Sequence, residues 1–134
     1  MSRALDHIRV RDAMHQGIIA CGPEAPLDEV ARIMAKHRVH AVAVTDGEHF
    51  RPAAVVSDLD VVAAIASRRD PSAGQSAATE PLTVSAQERL DRAAQLMTEH
   101  GVAHLVVVDD ADGQPIGVLS TLDVAAVYSQ QQGR

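Results

Sequence analysis

The stretch Gly117-Val118-Leu119-Ser120-Thr121-Leu122-Asp123 decides the fold. It reads as the end of a buried strand, a sharp turn and the first turn of a helix. A near copy, Ala54-Val55-Val56-Ser57-Asp58-Leu59-Asp60, lies sixty-three positions upstream, from Asp60 to Asp123. The same offset pairs Pro52 with Pro115, Asp46 with Asp109, Val39 with Val102, His37 with His100, Met34 with Met97 and Leu27 with Leu90. No gap is needed between them, so the chain holds two copies of one supersecondary unit.

Working outward from these endings, each copy gives the order strand–helix–strand–strand–helix. In the first copy Ile18-Ile19-Ala20-Cys21 is a strand and Gly22 to Pro26 a turn. Leu27, Val30, Ala31 and Met34 then recur at the spacing of one apolar helix face. Ala41 to Val44 is a continuous apolar run, expected as a buried strand. Asp46 to Arg51 forms a polar turn, Pro52 to Val56 a strand and Leu59 to Ser67 a helix. In the second copy Leu82 to Val84 is a strand, and Leu90, Ala93, Ala94 and Met97 repeat the helix stripe. Leu105 to Val108 and Ile116 to Leu119 are strands, and Leu122 to about Ser129 is a helix. Residues 1–9 are polar and lead into the first copy, and Val10 to Met14 reads as a short ordered lead-in. Gln130 to Arg134 reads as a frayed tail. The expected organisation is one module over 1–134, with repeats at 10–67 and 77–129 and a breaker-rich linker at 68–76. The fold class is α/β (α+β), two β-α-β-β-α repeats packed with pseudo-two-fold symmetry.

Composition narrows the function. Net charge of −6 argues against non-specific nucleic-acid binding. Aromatics make up 1% of the chain, so the core must come from aliphatic residues. Lys36 is the sole lysine; the other basic side chains are arginines, which suit planar anion recognition, although a base-composition bias would give the same excess. Cys21 is alone, which excludes an intrachain disulfide and fits a reducing cytoplasm. The N-terminal residues lack a signal-peptide apolar run, and the longest apolar runs are too short to span a bilayer.

Three features per copy make the chain resemble the CBS-domain family in its tandem arrangement, the Bateman module. They are the helix ends Met34-Ala35-Lys36-His37-Arg38-Val39 and Met97-Thr98-Glu99-His100-Gly101-Val102, the strands closing on Asp46 and Asp109, and the Ser-x-x-Asp endings. The resemblance covers Val10 to about Ser129 and implies clefts between the copies that take AMP, ADP, ATP or S-adenosylmethionine. No cofactor is required. Asp60 and Asp123 would hold ribose hydroxyls, and Ser57 and Ser120 would approach phosphate. It further implies a homodimer and regulation of a partner protein; the charge and the short apolar runs leave no nucleic-acid or membrane partner expected.

The residues support these roles in their own right. A carboxylate accepts from both hydroxyls of a diol, and a helix N-terminus offers N–H groups to phosphate. Gly117 would admit a ligand close to the backbone. Gly117, with Thr83 at a position that is often Thr in the resembled family, makes the second copy the better equipped; the first has Ala54, Ala20-Cys21 and the extra carboxylate Asp58. His40 and His104 match, to within one position, where members of the resembled family carry His or Arg before the strand, so the resemblance makes them phosphate candidates; the alternative is that both are surface histidines. Ser-x-x-Asp is equally a helix cap, so a ligand-free dimerisation module stands as the rival. The duplicated faces Leu27–Met34 and Leu90–Met97 are the expected dimer contacts. The His37/His40 and His100/His104 pairs raise a metal-binding alternative, opposed by the helix ending between each pair and by the single cysteine. No nucleophile–base pair, Walker loop or GxSxG elbow occurs, so the chain is not expected to be an enzyme.

Overall fold

The computed structural model describes residues 5–45, 52–76 and 82–132. The chain forms two compact units. One comprises residues 18–81, and the other joins residues 1–17 to 82–134. The turn expected at Asp46–Arg51 and the tail residues Gly133 and Arg134 lie outside the described residues.

The first unit contains β2 (Ala20–Cys21), α2 (Leu27–His37), β3 (Ala41–Thr45), β4 (Pro52–Ser57), α3 (Asp58–Ala66) and the short α4 (Ala73–Ser76). The sheet order is β2-β3-β4, with β2 parallel and β4 antiparallel to β3. The parallel pair follows from the helix crossover between β2 and β3. Leu27, Val30 and Met34 of α2 pack with Val42, Val44, Val56 and Ala64 into the core. The stretch expected as linker is part of this unit. Ala73 is fully buried, its N–H donates to the Ala25 carbonyl at 2.8 Å, and Gly74 lies against Pro23.

The second unit repeats the plan with β5 (Thr83–Ser85), α5 (Leu90–His100), β6 (His104–Val108), β7 (Pro115–Ser120) and α6 (Thr121–Gln132). It also takes in the N-terminal segment, whose elements are α1 (Val10–Ala13) and β1 (His15–Gln16). Its sheet runs β1-β7-β6-β5. The lead-in is ordered, as expected, but it belongs to the second unit and not to the first copy that it precedes in sequence. Val10 is fully buried among Val84, Leu90, Met97, Leu105 and Leu119, and its N–H donates to the Glu88 carbonyl at 2.9 Å. α6 extends beyond Ser129, so Gln130, Gln131 and Gln132 are helical rather than frayed.

The expected dimer contacts need correction. Leu27, Val30, Met34, Leu90, Ala93 and Met97 are all buried inside their own units, so those faces are already used by the fold. The large apolar side chains left exposed lie instead on α3 (Leu59, Val62, Ile65) and α6 (Leu122, Tyr128).

Candidate functional site at the strand-to-helix elbows

Both copies turn from strand to helix without an intervening loop. Ser120 closes β7, and α6 begins at the next residue. The Ser120 N–H donates to Asp123 Oδ2 at 2.8 Å, while the Asp123 N–H donates to Ser120 Oγ at 3.2 Å. The Ser57–Asp60 elbow repeats both bonds at 2.8 and 3.2 Å, and the Ser57 hydroxyl also donates to Asp60 Oδ2 at 3.1 Å. Each pair is a reciprocal capping box, satisfying N–H groups that the helix itself leaves open. The carboxylate lies in the first turn, where the helix dipole favours it. The Ser-x-x-Asp spacing thus has a structural cause in both copies, and it fixes one oxygen of each carboxylate.

The other expected residues gather at the same end of each sheet. His104 is directly opposite Ser120 in the β6–β7 register, and directly opposed residues share a face. Thr83 starts β5, beside Val106 of β6, and is exposed. In the first unit Ala41 is opposite Ser57, and the His40 carbonyl accepts from the Asp58 N–H at 2.9 Å. His40 Nδ1 lies 2.9 Å from Asp58 Oδ2, so this carboxylate is within hydrogen-bond distance of an exposed imidazole beside the elbow. The α2 and α5 helices end between the histidine pairs: Arg38 and Gly101 take left-handed caps. Among the described residues no three His, Cys, Asp or Glu side chains are grouped to hold a metal ion.

The surroundings of Gly117 differ from expectation. Gln16 and Gly117 are register partners in the antiparallel β1–β7 pair. A β-carbon on Gly117 would overlap the His15 backbone oxygen and stand 3.0 Å from Met14 Sδ. The space beside Gly117 expected to admit a ligand is filled by the chain's own strand β1.

That strand also contributes a site residue with no sequence signal. His15 Nε2 lies 3.1 Å from Asp123 Oδ1; the carboxylate is 11% exposed and the imidazole 61%. His15 belongs to a two-residue exposed strand, where neither periodicity nor spacing draws attention. Elsewhere, burial and then the nearby Glu29 carboxylate push the Cys21 thiol above its ordinary pKa, which disfavours the thiolate. No helix among the described residues is long and apolar enough to cross a membrane.

A family model for the CBS domain matches residues 10–67 and 76–130. A CBS-domain protein of Pyrobaculum aerophilum, solved as a complex with AMP, is 32% identical with a TM-score of 0.80, covering 95% of this chain and 100% of that one. A CBS-domain pair solved with 5′-methylthioadenosine and S-adenosyl-L-methionine is 20% identical with a TM-score of 0.82, covering 92% and 97% of the two chains; it supports the fold. The homoserine O-acetyltransferase of Methanohalophilus mahii is 30% identical over 132 residues, covering 97% of this chain. The chain spans only 26% of that relative's length.

Proposed function

The chain belongs to the CBS-domain family, and from that premise we propose that it is a regulatory module rather than an enzyme, binding an adenine nucleotide or related adenosyl ligand through its Ser-x-x-Asp elbows. The observation that carries this reading is the duplicated elbow itself. Each copy holds an Asp carboxylate in a fixed orientation at a helix N-terminus, with Ser, His and Thr side chains at the same sheet end in the second copy and Ser and His in the first. Such a carboxylate can accept from a ribose diol, while the helix N-terminus and a histidine suit phosphate. The AMP complex of the Pyrobaculum aerophilum relative, similar over almost the whole chain, supports the ligand class. The acetyltransferase name of the longer relative is not carried over, since the shared part is a quarter of that protein.

The proposed output is a change in homodimer geometry sensed by a partner protein in the cytoplasm, a reducing setting that suits the free thiol of Cys21. Exposed apolar residues recur at matched positions on α3 and α6, Leu59 with Leu122 and Ile65 with Tyr128, and these are the proposed dimer contacts. The competing reading is a ligand-free dimerisation module, favoured by capping boxes that already account for the Ser and Asp positions.

A thermal-shift panel of AMP, ADP, ATP, S-adenosylmethionine and Zn²⁺, followed by calorimetry, separates the readings. An adenosyl ligand should raise the melting temperature, and AMP should bind more tightly than adenosine. Stabilisation by none of the adenosyl compounds would leave the dimerisation module, and stabilisation by Zn²⁺ alone would favour a metal protein.

A further inference from the structure

We infer that His15 is an internal competitor for the second elbow, so that Asp60 is the carboxylate open to a ribose and Asp123 becomes available only when His15 withdraws. The inference rests on the adenosyl-binding reading above and reverses the order of the two copies expected from their sequences. The two carboxylates begin alike, each giving Oδ2 to the serine N–H of its own cap. They differ at Oδ1. Asp123 Oδ1 lies 3.1 Å from His15 Nε2. A carboxylate only accepts, so the imidazole is the donor there. No described residue bonds Asp60 Oδ1. A ribose hydroxyl arriving at Asp123 must therefore replace an existing N–H donor, whereas at Asp60 it meets a free lone pair. With the imidazole in place the Asp123 carboxylate is 11% exposed.

His15 is held in place by its backbone rather than by its ring. It pairs with Val118 in the β1–β7 ladder, and the next strand residue, Gln16, pairs with Gly117. Gly17 N–H then donates to the Ile116 carbonyl at 2.8 Å. Gly117 lets β1 lie this close, because any β-carbon there would strike the His15 carbonyl. The glycine that makes the second copy look ligand-ready is thus the residue that admits the competitor. With a ring 61% exposed, truncating the side chain should leave the strand in place.

The test is AMP calorimetry on the full chain, with melting temperatures to verify folding. Wild type should lose most AMP binding in Asp60→Ala and little in Asp123→Ala. In the Asp60→Ala background, adding His15→Ala should tighten AMP binding about five- to tenfold, the size expected from freeing one charge-assisted hydrogen bond at a partly exposed site. Adding Asp123→Ala to that double variant should abolish the gain. Equal affinity of Asp60→Ala with and without His15, or loss of wild-type binding in Asp123→Ala with Asp60→Ala unaffected, overturns the competitor role while leaving nucleotide binding intact. Absence of AMP binding in wild type and every variant overturns the nucleotide reading and the competitor role together.

Discussion

The backbone oxygen of His15 occupies the place where a β-carbon on Gly117 would project. A backbone oxygen cannot rotate away as a side chain can, so relief requires β1 to move. Gly117→Ala should destabilise the protein by about 1–3 kcal/mol, the range for overpacking a closed site. Urea unfolding checks this, and Ala54 marks the contrast, since the first copy already carries a β-carbon at the equivalent position.

The helices α2 and α5 end with the same left-handed cap on different residues. Arg38 has φ 54° and Gly101, its repeat partner, φ 63°. Only glycine takes this conformation without crowding its Cβ against the carbonyl. Arg38→Gly should therefore stabilise the first unit by about 1 kcal/mol, and Gly101→Arg should destabilise the second by a similar amount. Thermal melts of both single variants test the opposite signs.

The capping boxes predict matched losses. Ser57→Ala and Ser120→Ala each remove an acceptor from the helix N-terminus and should cost about 1 kcal/mol. Denaturant titration should find the two similar. A loss at only one elbow would mean that the other helix start is held by its tertiary contacts instead.

The apolar stripes on α3 and α6 give a prediction about assembly. Leu59→Glu and Leu122→Glu place charge on residues that are 71% and 61% exposed. Neither side chain supports its own core, so the monomer fold should persist while a dimer built on these helices weakens by tenfold or more, as for a charge left unpaired in an apolar contact. Light scattering across a concentration series reads the shift, with circular dichroism confirming the fold.

The sequence revealed most where burial imposes a period. The stripes Leu27/Val30/Met34 and Leu90/Ala93/Met97 reported helices because one face of each is wholly buried. The apolar runs at Ala41–Val44 and Leu105–Val108 reported central strands for the same reason. The elbows were legible because the Ser–Asp cap is a local interaction, written within four residues. What escaped was long-range or too short to have a period. β1 is two exposed residues, and its pairing with β7 spans about a hundred positions. α4 is hidden in a stretch whose Pro and Gly punctuate like a linker, although Ala73 is fully buried. The exposed stripes of α3 and α6 carry no distinct sequence signal, because periodicity alone does not separate a face that packs inside its own unit from one left to solvent.

The docking of residues 10–16 onto the second unit makes that unit discontinuous in sequence. Its fold is closed by residues 10–16, and in sequence the first unit is inserted between its two parts. During synthesis β1 must wait for β7, about a hundred residues later, and loop closure of that length slows folding even where it adds little to the final free-energy cost. The first unit, continuous from residue 18 onward, can form while this closure is pending. A cut at the sequence repeat boundary would therefore divide the molecule unequally. The fragment carrying the second repeat would lose Val10 from its core and β1 from its sheet edge, while the other would carry an N-terminal segment with nowhere to dock. Closure by residues 10–16 therefore ties the second repeat to a segment that precedes the first, and neither repeat can be excised whole by one cut between them.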